Sequence, residues 1–238
     1  MTRGRIAVVT GATSGIGAAT ARALAAEGLR VLLVGRNARK LAASARALGA
    51  RGHLGSLQAD LRSAADIDTL LRTLGARVRA LDVLVHCAGE HEWTEPGNPD
   101  AQAFARLFDV NVRAPYLLTQ GLIAPLARAR GLVVFVNSSV VRNPGQGVAL
   151  YKATQHAVQG FADSLRQDLN RRGIRVASLY PGRTATPRMR RIYAHEGRPY
   201  QPRKLLRASD VAQLVLALSR LPPRMEVTDL HVRSVTPY

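Results

Sequence analysis

The stretch TGATSGIG at residues 10–17 has the residue types and spacing to hold a pyrophosphate. Gly11 permits a sharp turn, Gly15 lets backbone come close to a ligand, and Gly17 lets a following helix lie tightly on a sheet. Thr13, Ser14 and Ile16 complete the loop. A helix that starts here turns free N–H groups and a partial positive charge toward an anion. Alone, the pattern describes many tight turns; its meaning comes from a strand before it and a helix after it. Residues 6–9 are apolar and rich in β-branching, like a buried parallel strand, and residues 18–27 are Ala-rich with good helix propensity.

A second position bears on which dinucleotide the loop would hold. The next apolar run, residues 30–34, ends at Gly35-Arg36-Asn37. A carboxylate there would receive the ribose hydroxyls of NAD, whereas Arg36 offers a planar cation suited to the 2′-phosphate of NADP. NADP(H) is therefore the expected cofactor, against the plainer reading of Arg36 as a surface arginine.

The elements that must position these residues follow in regular alternation. Strands are expected over 6–9, 30–34, 54–59, 81–85, 132–136, 174–179 and 226–232. Helices are expected over 18–27, 38–48, 63–78, 101–128, 151–172 and 209–220, the long 101–128 stretch bending or breaking at Pro115 or Pro125. This order predicts an α/β fold: a single Rossmann-fold domain over 1–238, doubly wound, with about seven parallel strands and helices on both faces. Ligands of such sheets bind beyond the carboxyl ends of the strands, where the strand order reverses. Asn37, Asp60 and His86 fall at strand ends, where they could equally be capping residues.

Composition narrows the classes further. The chain has 238 residues, 47% of them hydrophobic, with no Pro/Gly/Ser-rich linker to divide a core. No apolar signal segment stands in residues 1–5 and no run reaches membrane-spanning length, so a cytoplasmic protein with no membrane partner is expected. The single cysteine, Cys87, has no internal partner, which suits a reducing compartment. A net charge of +18 invites a nucleic-acid reading. The charge is nearly all arginine scattered through every segment, so no specific nucleic-acid partner is expected; the field instead favours anionic small molecules. No metal site is assigned.

Several further motifs stand in a familiar order: HCAG at 86–89, Asn111 in NVRAP, Ser138-Ser139, Tyr151 in YKATQ and PGRTAT at 181–186. With the glycine loop and Asp60, they make the chain similar to the short-chain dehydrogenase/reductase family over almost its whole length. The resemblance implies that Tyr151 is the general acid/base, giving a proton to the substrate oxygen as hydride is delivered. It implies that a serine holds that oxygen. Ser138 has the usual thirteen-residue spacing to Tyr151, but the Ser-Ser-Val-Val pattern favours Ser139, with one residue deleted from the following loop. Asn111 would organise the proton-supplying water chain. Asp60 and Leu61 would meet the adenine, Cys87, Ala88 and Gly89 would pass beneath the cofactor, and Pro181, Gly182, Thr184 and Thr186 would flank the nicotinamide. His86 stands where the family usually has asparagine. Residues 187–206, with Tyr193, His195 and Tyr200 among arginines, would be a substrate lid, with residues 90–93 as a second wall. A homodimer or homotetramer through the helices 101–128 and 151–172 is also implied.

One position departs from the family. Its lysine, four residues beyond the tyrosine, favours the phenolate and holds the nicotinamide ribose; this chain has Gln155, which can hydrogen-bond ribose but brings no charge. Lys152 lies about 100° around the helix from Tyr151; Arg142, Arg183 and His156 are the other candidate cations. The expected function is thus an NADP(H)-dependent reductase of a carbonyl or imine group on a small molecule. The alternative is a catalytically silent NADP-binding sensor or scaffold.

Overall fold

Strand and helix alternate from the first described residues onward. The structure is a computed structural model and describes residues 4–143 and 145–236. Expectations for residues 1–3, 144 and 237–238, including most of the segment before the first strand, lie outside the described residues. In order come β1 (Ile6–Thr10), α1 (Gly15–Ala26), β2 (Arg30–Gly35), α2 (Ala38–Gly52), β3 (His53–Gln58), α3 (Ala64–Arg77) and β4 (Val83–His86). Next are α4 (Ala101–Phe108), a π-helical turn (Asp109–Arg113), α5 (Ala114–Gly121), α6 (Ile123–Ala129), β5 (Leu132–Val136) and α7 (Ala149–Asn170). The last are β6 (Arg175–Pro181), β7 (Thr184–Ala185), α8 (Pro187–His195), β8 (Leu206–Arg207), α9 (Ala208–Arg220) and β9 (Asp229–Val232).

The main sheet has seven strands in the order β3-β2-β1-β4-β5-β6-β9, all parallel. It is the single doubly wound α/β domain that the alternation predicts. The chain winds outward from β1 to β3, then returns to place β4 on β1's other side, so the order reverses between β1 and β4. Successive strand residues feed opposite faces: Leu32, Leu84 and Val133 pack with Leu70, Leu74, Leu118 and Leu165. Their neighbours Leu33, Val85 and Val134 pack with Leu24, Leu41, Val211 and Val215 of α1, α2 and α9. Burial on both faces explains why these strands read as continuous apolar runs.

Three helix starts are marked by side chains that accept from the backbone N–H three residues on: Asn37 from Lys40 at 2.9 Å, Ser63 from Asp66 at 3.2 Å and Asp100 from Ala103 at 2.8 Å. The predicted 101–128 helix is corrected to three helices. Pro115 has no N–H for the Asn111 carbonyl four residues back, and a π turn over Asp109–Arg113 absorbs the mismatch. The second break comes at Leu122 (φ −107°, ψ 8°), and Pro125 falls in the first turn of α6 rather than at the break itself. The third strand is corrected to start at His53, because Gly49 (φ 68°) interrupts the preceding helix.

Candidate active site

A cleft of about 2010 Å³ opens at the carboxyl ends of the strands, beside the β1–β4 switch. Its floor is the glycine loop. Gly11 has φ +64°, and a Cβ there would lie 2.7 Å from the Ala88 nitrogen. A Cβ on Gly17 would meet the Gly11 carbonyl oxygen at 2.3 Å. Bare backbone is thus required where α1, the loop and the 86–89 turn converge. Thr10 ties them together: its Oγ1 accepts from the Cys87 and Ala88 N–H groups, both at 3.2 Å.

The catalytic and cofactor-binding residues expected from the sequence all border this one cleft, whereas the lid tyrosines Tyr193 and Tyr200 do not. Gly11, Thr13, Ser14, Gly15, Ile16 and Gly17 form the floor beneath the start of α1, with Cys87, Ala88 and Gly89 beside them. Arg36, Asn37, Asp60 and Leu61 lie at one end; Asn111, Ser138, Ser139, Tyr151 and Gln155 lie toward the other, with Pro181, Gly182, Thr184 and Thr186 on a rim. Arg36 reaches across to Glu90, Nη1 to Oε1 3.0 Å. The Asp60 carboxylate is held by Arg62 at 2.5 Å, and that hydrogen bond keeps it below the usual carboxylate range. Thr184 donates to the Gly182 carbonyl at 2.9 Å, and Thr186 caps α8 by accepting from the Met189 N–H at 3.2 Å. Burial raises the Cys87 thiol to about 12, so it stays protonated near neutrality.

Behind the cleft wall lies a hydroxyl that the sequence does not single out. Thr154, fully buried on α7, donates to the Tyr151 carbonyl at 2.7 Å and accepts from Asn111 Nδ2 at 3.0 Å and Gln155 Nε2 at 3.3 Å. Asn111 completes the bracket by donating to the Glu90 carbonyl (3.0 Å) while its Oδ1 accepts from the Glu90 N–H (2.8 Å). One turn of α7 is thereby fixed to the strap after β4, and Gln155's amide is drawn into the network. Asn137 adds a bond from Nδ2 to the Gln155 carbonyl at 2.9 Å. Only the YxxTQ spacing of Tyr151, Thr154 and Gln155 could have signalled this.

The serines differ. Ser138 Oγ accepts from the Val140 N–H at 3.2 Å and starts a single 3₁₀ turn, Ser139–Val141. No hydrogen bond engages the Ser139 hydroxyl among the described residues. Of the substitute cations, His156 is exposed on α7 outside the cleft, Lys152 donates to the Asn143 carbonyl at 3.3 Å and Arg183 is bridged to Glu196 at 2.7 Å. Arg142 does border the cleft. His86 is a buried structural residue: its Nε2 lies 2.9 Å from Thr119 Oγ1, its ring stacks on Phe135, and burial depresses its pKa to about 3. Thr119 spends its own proton on the Pro115 carbonyl, so His86 is the donor in that pair.

Opposite Tyr151 stands a wall of rings. His91 lies 4.8 Å from Tyr151 between centroids and meets Trp93 edge-on at 4.7 Å; Trp93 stacks on His195 of α8 at 3.8 Å. Burial and the charge of Arg188 push His91 down to about 4, so its ring is neutral near neutrality.

A bare-backbone phosphate cradle at the switch point of a doubly wound parallel sheet, with tyrosine and serine hydroxyls further along the cleft, defines a dinucleotide-binding α/β protein of the oxidoreductase type. The model of the short chain dehydrogenase family matches residues 5–197, and the chain belongs to that family. It is 29% identical over 97% of each chain to an uncharacterized oxidoreductase of Staphylococcus epidermidis. It is 30% identical to the mouse dehydrogenase/reductase SDR family member 11, over 97% of this chain and 94% of the mouse protein. Among solved structures, an alcohol dehydrogenase from the archaeon Thermococcus sibiricus, complexed with 5-hydroxy-NADP, superimposes with TM-score 0.87 at 25% identity, covering 99% of both chains. The closed form of a serine dehydrogenase complexed with NADP+ gives TM-score 0.87 at 27% identity, covering 98% of this chain and 96% of that one. Among the described residues, no helix is long and apolar enough to cross a membrane.

Proposed function

We propose that this oxidoreductase is an NADP(H)-dependent reductase of a carbonyl or imine group on a small organic molecule. The observation that carries the reading is the convergence of the glycine cradle, Arg36, Ser139 and Tyr151 on one cleft. The residues present fit a dinucleotide: no Cβ can be accommodated at Gly11 or Gly17, and the first N–H groups of α1 face a volume large enough for the cofactor and a substrate. The NADP ligands of the two solved neighbours support the choice of cofactor. Bound there, the reduced nicotinamide supplies a hydride. Tyr151 donates the proton to the substrate oxygen or nitrogen, and Ser139, whose hydroxyl has no competing partner among the described residues, orients that atom. Asn111 and Thr154 hold the tyrosine's turn in place. Residues 187–206 act as the lid, hinged where β7 pairs with β8 (Thr184 opposite Leu206). Phe104 and Tyr116, exposed on α4 and α5, support assembly as a homodimer or homotetramer through these helices.

Gln155 motivates a second reading, an NADP-binding sensor without turnover. Its amide is engaged with Thr154 and it brings no cation to Tyr151. Gln155→Lys separates the two. As a reductase adapted to glutamine, the protein loses turnover on this change; a large gain marks a site that had lost catalysis.

A further inference from the structure

We propose that Arg188, with His91 and Trp93, forms a subsite for the carboxylate of the substrate, so that the preferred substrates are flat carbonyl compounds bearing an acid group. The inference rests on the reductase reading and deepens it. Arg188 is the second residue of α8, and its guanidinium crosses the cleft to donate to the Gly89 carbonyl at the end of β4. It is half-buried, and no carboxylate lies within 4.0 Å of it among the described residues. Its neighbours differ: Arg183 and Arg198 both pair with Glu196, and Arg36 pairs with Glu90. A guanidinium presents a planar fork of donors, and one carbonyl leaves most of that fork for an anion.

The surroundings say where that anion belongs. Arg188 is near enough to lower the pKa of His91, whose ring lies 4.8 Å from that of Tyr151. His91, Trp93 and His195 continue as stacked and edge-on rings toward α8, forming a wall for a flat apolar body. His91 is neutral near neutrality, so it does not compete with Arg188 for the anion's charge; it offers a ring nitrogen instead. A carbonyl group at Tyr151 and a carboxylate at Arg188 then occupy the two ends of one slot. The cofactor's pyrophosphate is the other anion in reach, but the α1 N–H groups already face it across the glycine loop.

Trp93 is the only tryptophan in the chain and sits in the slot's wall, so its fluorescence reports binding directly. Benzoate and benzamide are titrated into the full chain saturated with NADP+, for the wild type, Arg188→Gln and Arg188→Lys. The expected result is a benzoate preference of about 10- to 100-fold in the wild type, erased by glutamine and partly kept by lysine, with NADP+ affinity within about twofold throughout. No preference in the wild type, or one that survives Arg188→Gln, overturns the proposal. So does a loss confined to NADP+ affinity, which assigns Arg188 to the pyrophosphate. Because the readout is binding, a protein that prefers benzoate but turns nothing over keeps the subsite and refutes the reductase reading alone.

Discussion

Replacing Thr154 with valine removes one oxygen and almost no volume, which makes it a clean test of the network holding the site. The hydroxyl is fully buried and all three of its hydrogen-bonding capacities are used, by the Tyr151 carbonyl, Asn111 Nδ2 and Gln155 Nε2. Valine leaves one N–H of the buried Asn111 amide without its acceptor, the other staying on the Glu90 carbonyl, and takes the acceptor from Gln155 Nε2 as well. One buried unpaired donor costs about 1–3 kcal/mol, and the lost bond from Gln155 brings the expected loss to about 2–3 kcal/mol. For a domain of this size that lowers Tm by about 4–12 °C. Urea unfolding measures the free energy, and Thr154→Ser, which restores the oxygen, should recover most of it. Because Asn111 also brackets Glu90, the valine variant should in addition weaken dinucleotide binding. A valine variant within about 0.5 kcal/mol of the wild type, or a serine variant as damaged as valine, would refute the network.

Other consequences are as direct. Gly17→Ala places a Cβ 2.3 Å from the Gly11 carbonyl oxygen, so dinucleotide affinity should fall at least about tenfold despite alanine's better helix propensity; Gly160→Ala on α7, with nothing within 4 Å of its Cβ, should stabilise by about 0.5–1 kcal/mol. Equal behaviour of the two in calorimetric titration contradicts the cradle. Glu90→Gln frees Arg36, and because that pair is exposed the gain should be modest, about two- to fivefold tighter NADPH with NADH unchanged; unchanged NADPH binding removes Glu90 from cofactor choice. His86 is depressed in the fold to about 3 from an ordinary 6.5, so the folded state binds fewer protons. The stability this represents is whole above pH 6.5 and is lost as pH falls toward 3, about 2 kcal/mol of it by pH 5. His86→Asn should flatten that loss in denaturation curves at pH 7.5 and 5; an identical acid limb assigns it to other groups.

The parts of the molecule legible in the sequence are those fixed by local rules. Strand, glycine turn and helix over residues 6–27 could be read because chain reversal and close packing both demand glycine there, and the positions of Gly11 and Gly17 bear this out. The inner strands are visible because burial on both faces thins out their polar residues, whereas the edge strands β3 and β9 are half exposed and keep polar residues, which blurs their bounds. In the 101–128 segment the two prolines point to the right interruptions but not to their exact places: Pro115 and Pro125 sit in first turns, and the breaks fall just before them. Thr154 and Arg188 are hard to single out for another reason: the partners that define their roles lie far along the chain, 43 residues for Thr154 and Asn111 and 99 for Arg188 and Gly89. His91 stands in the 90–93 wall that the sequence suggests, but its place beside Tyr151 required the fold. Gln155 was seen as a departure, but that its amide is engaged with the adjacent threonine required the fold.

A reductase of the proposed kind binds NADP(H) in this cleft and needs Tyr151 to complete the reduction. NADPH and NADH titrated against the protein, followed by NADPH oxidation on a panel of carbonyl and imine compounds with Tyr151→Phe alongside, test both requirements. NADPH should bind in preference to NADH and be turned over by the wild type, with binding kept and turnover lost in the phenylalanine variant. Binding of neither dinucleotide, or turnover indifferent to Tyr151, would contradict it.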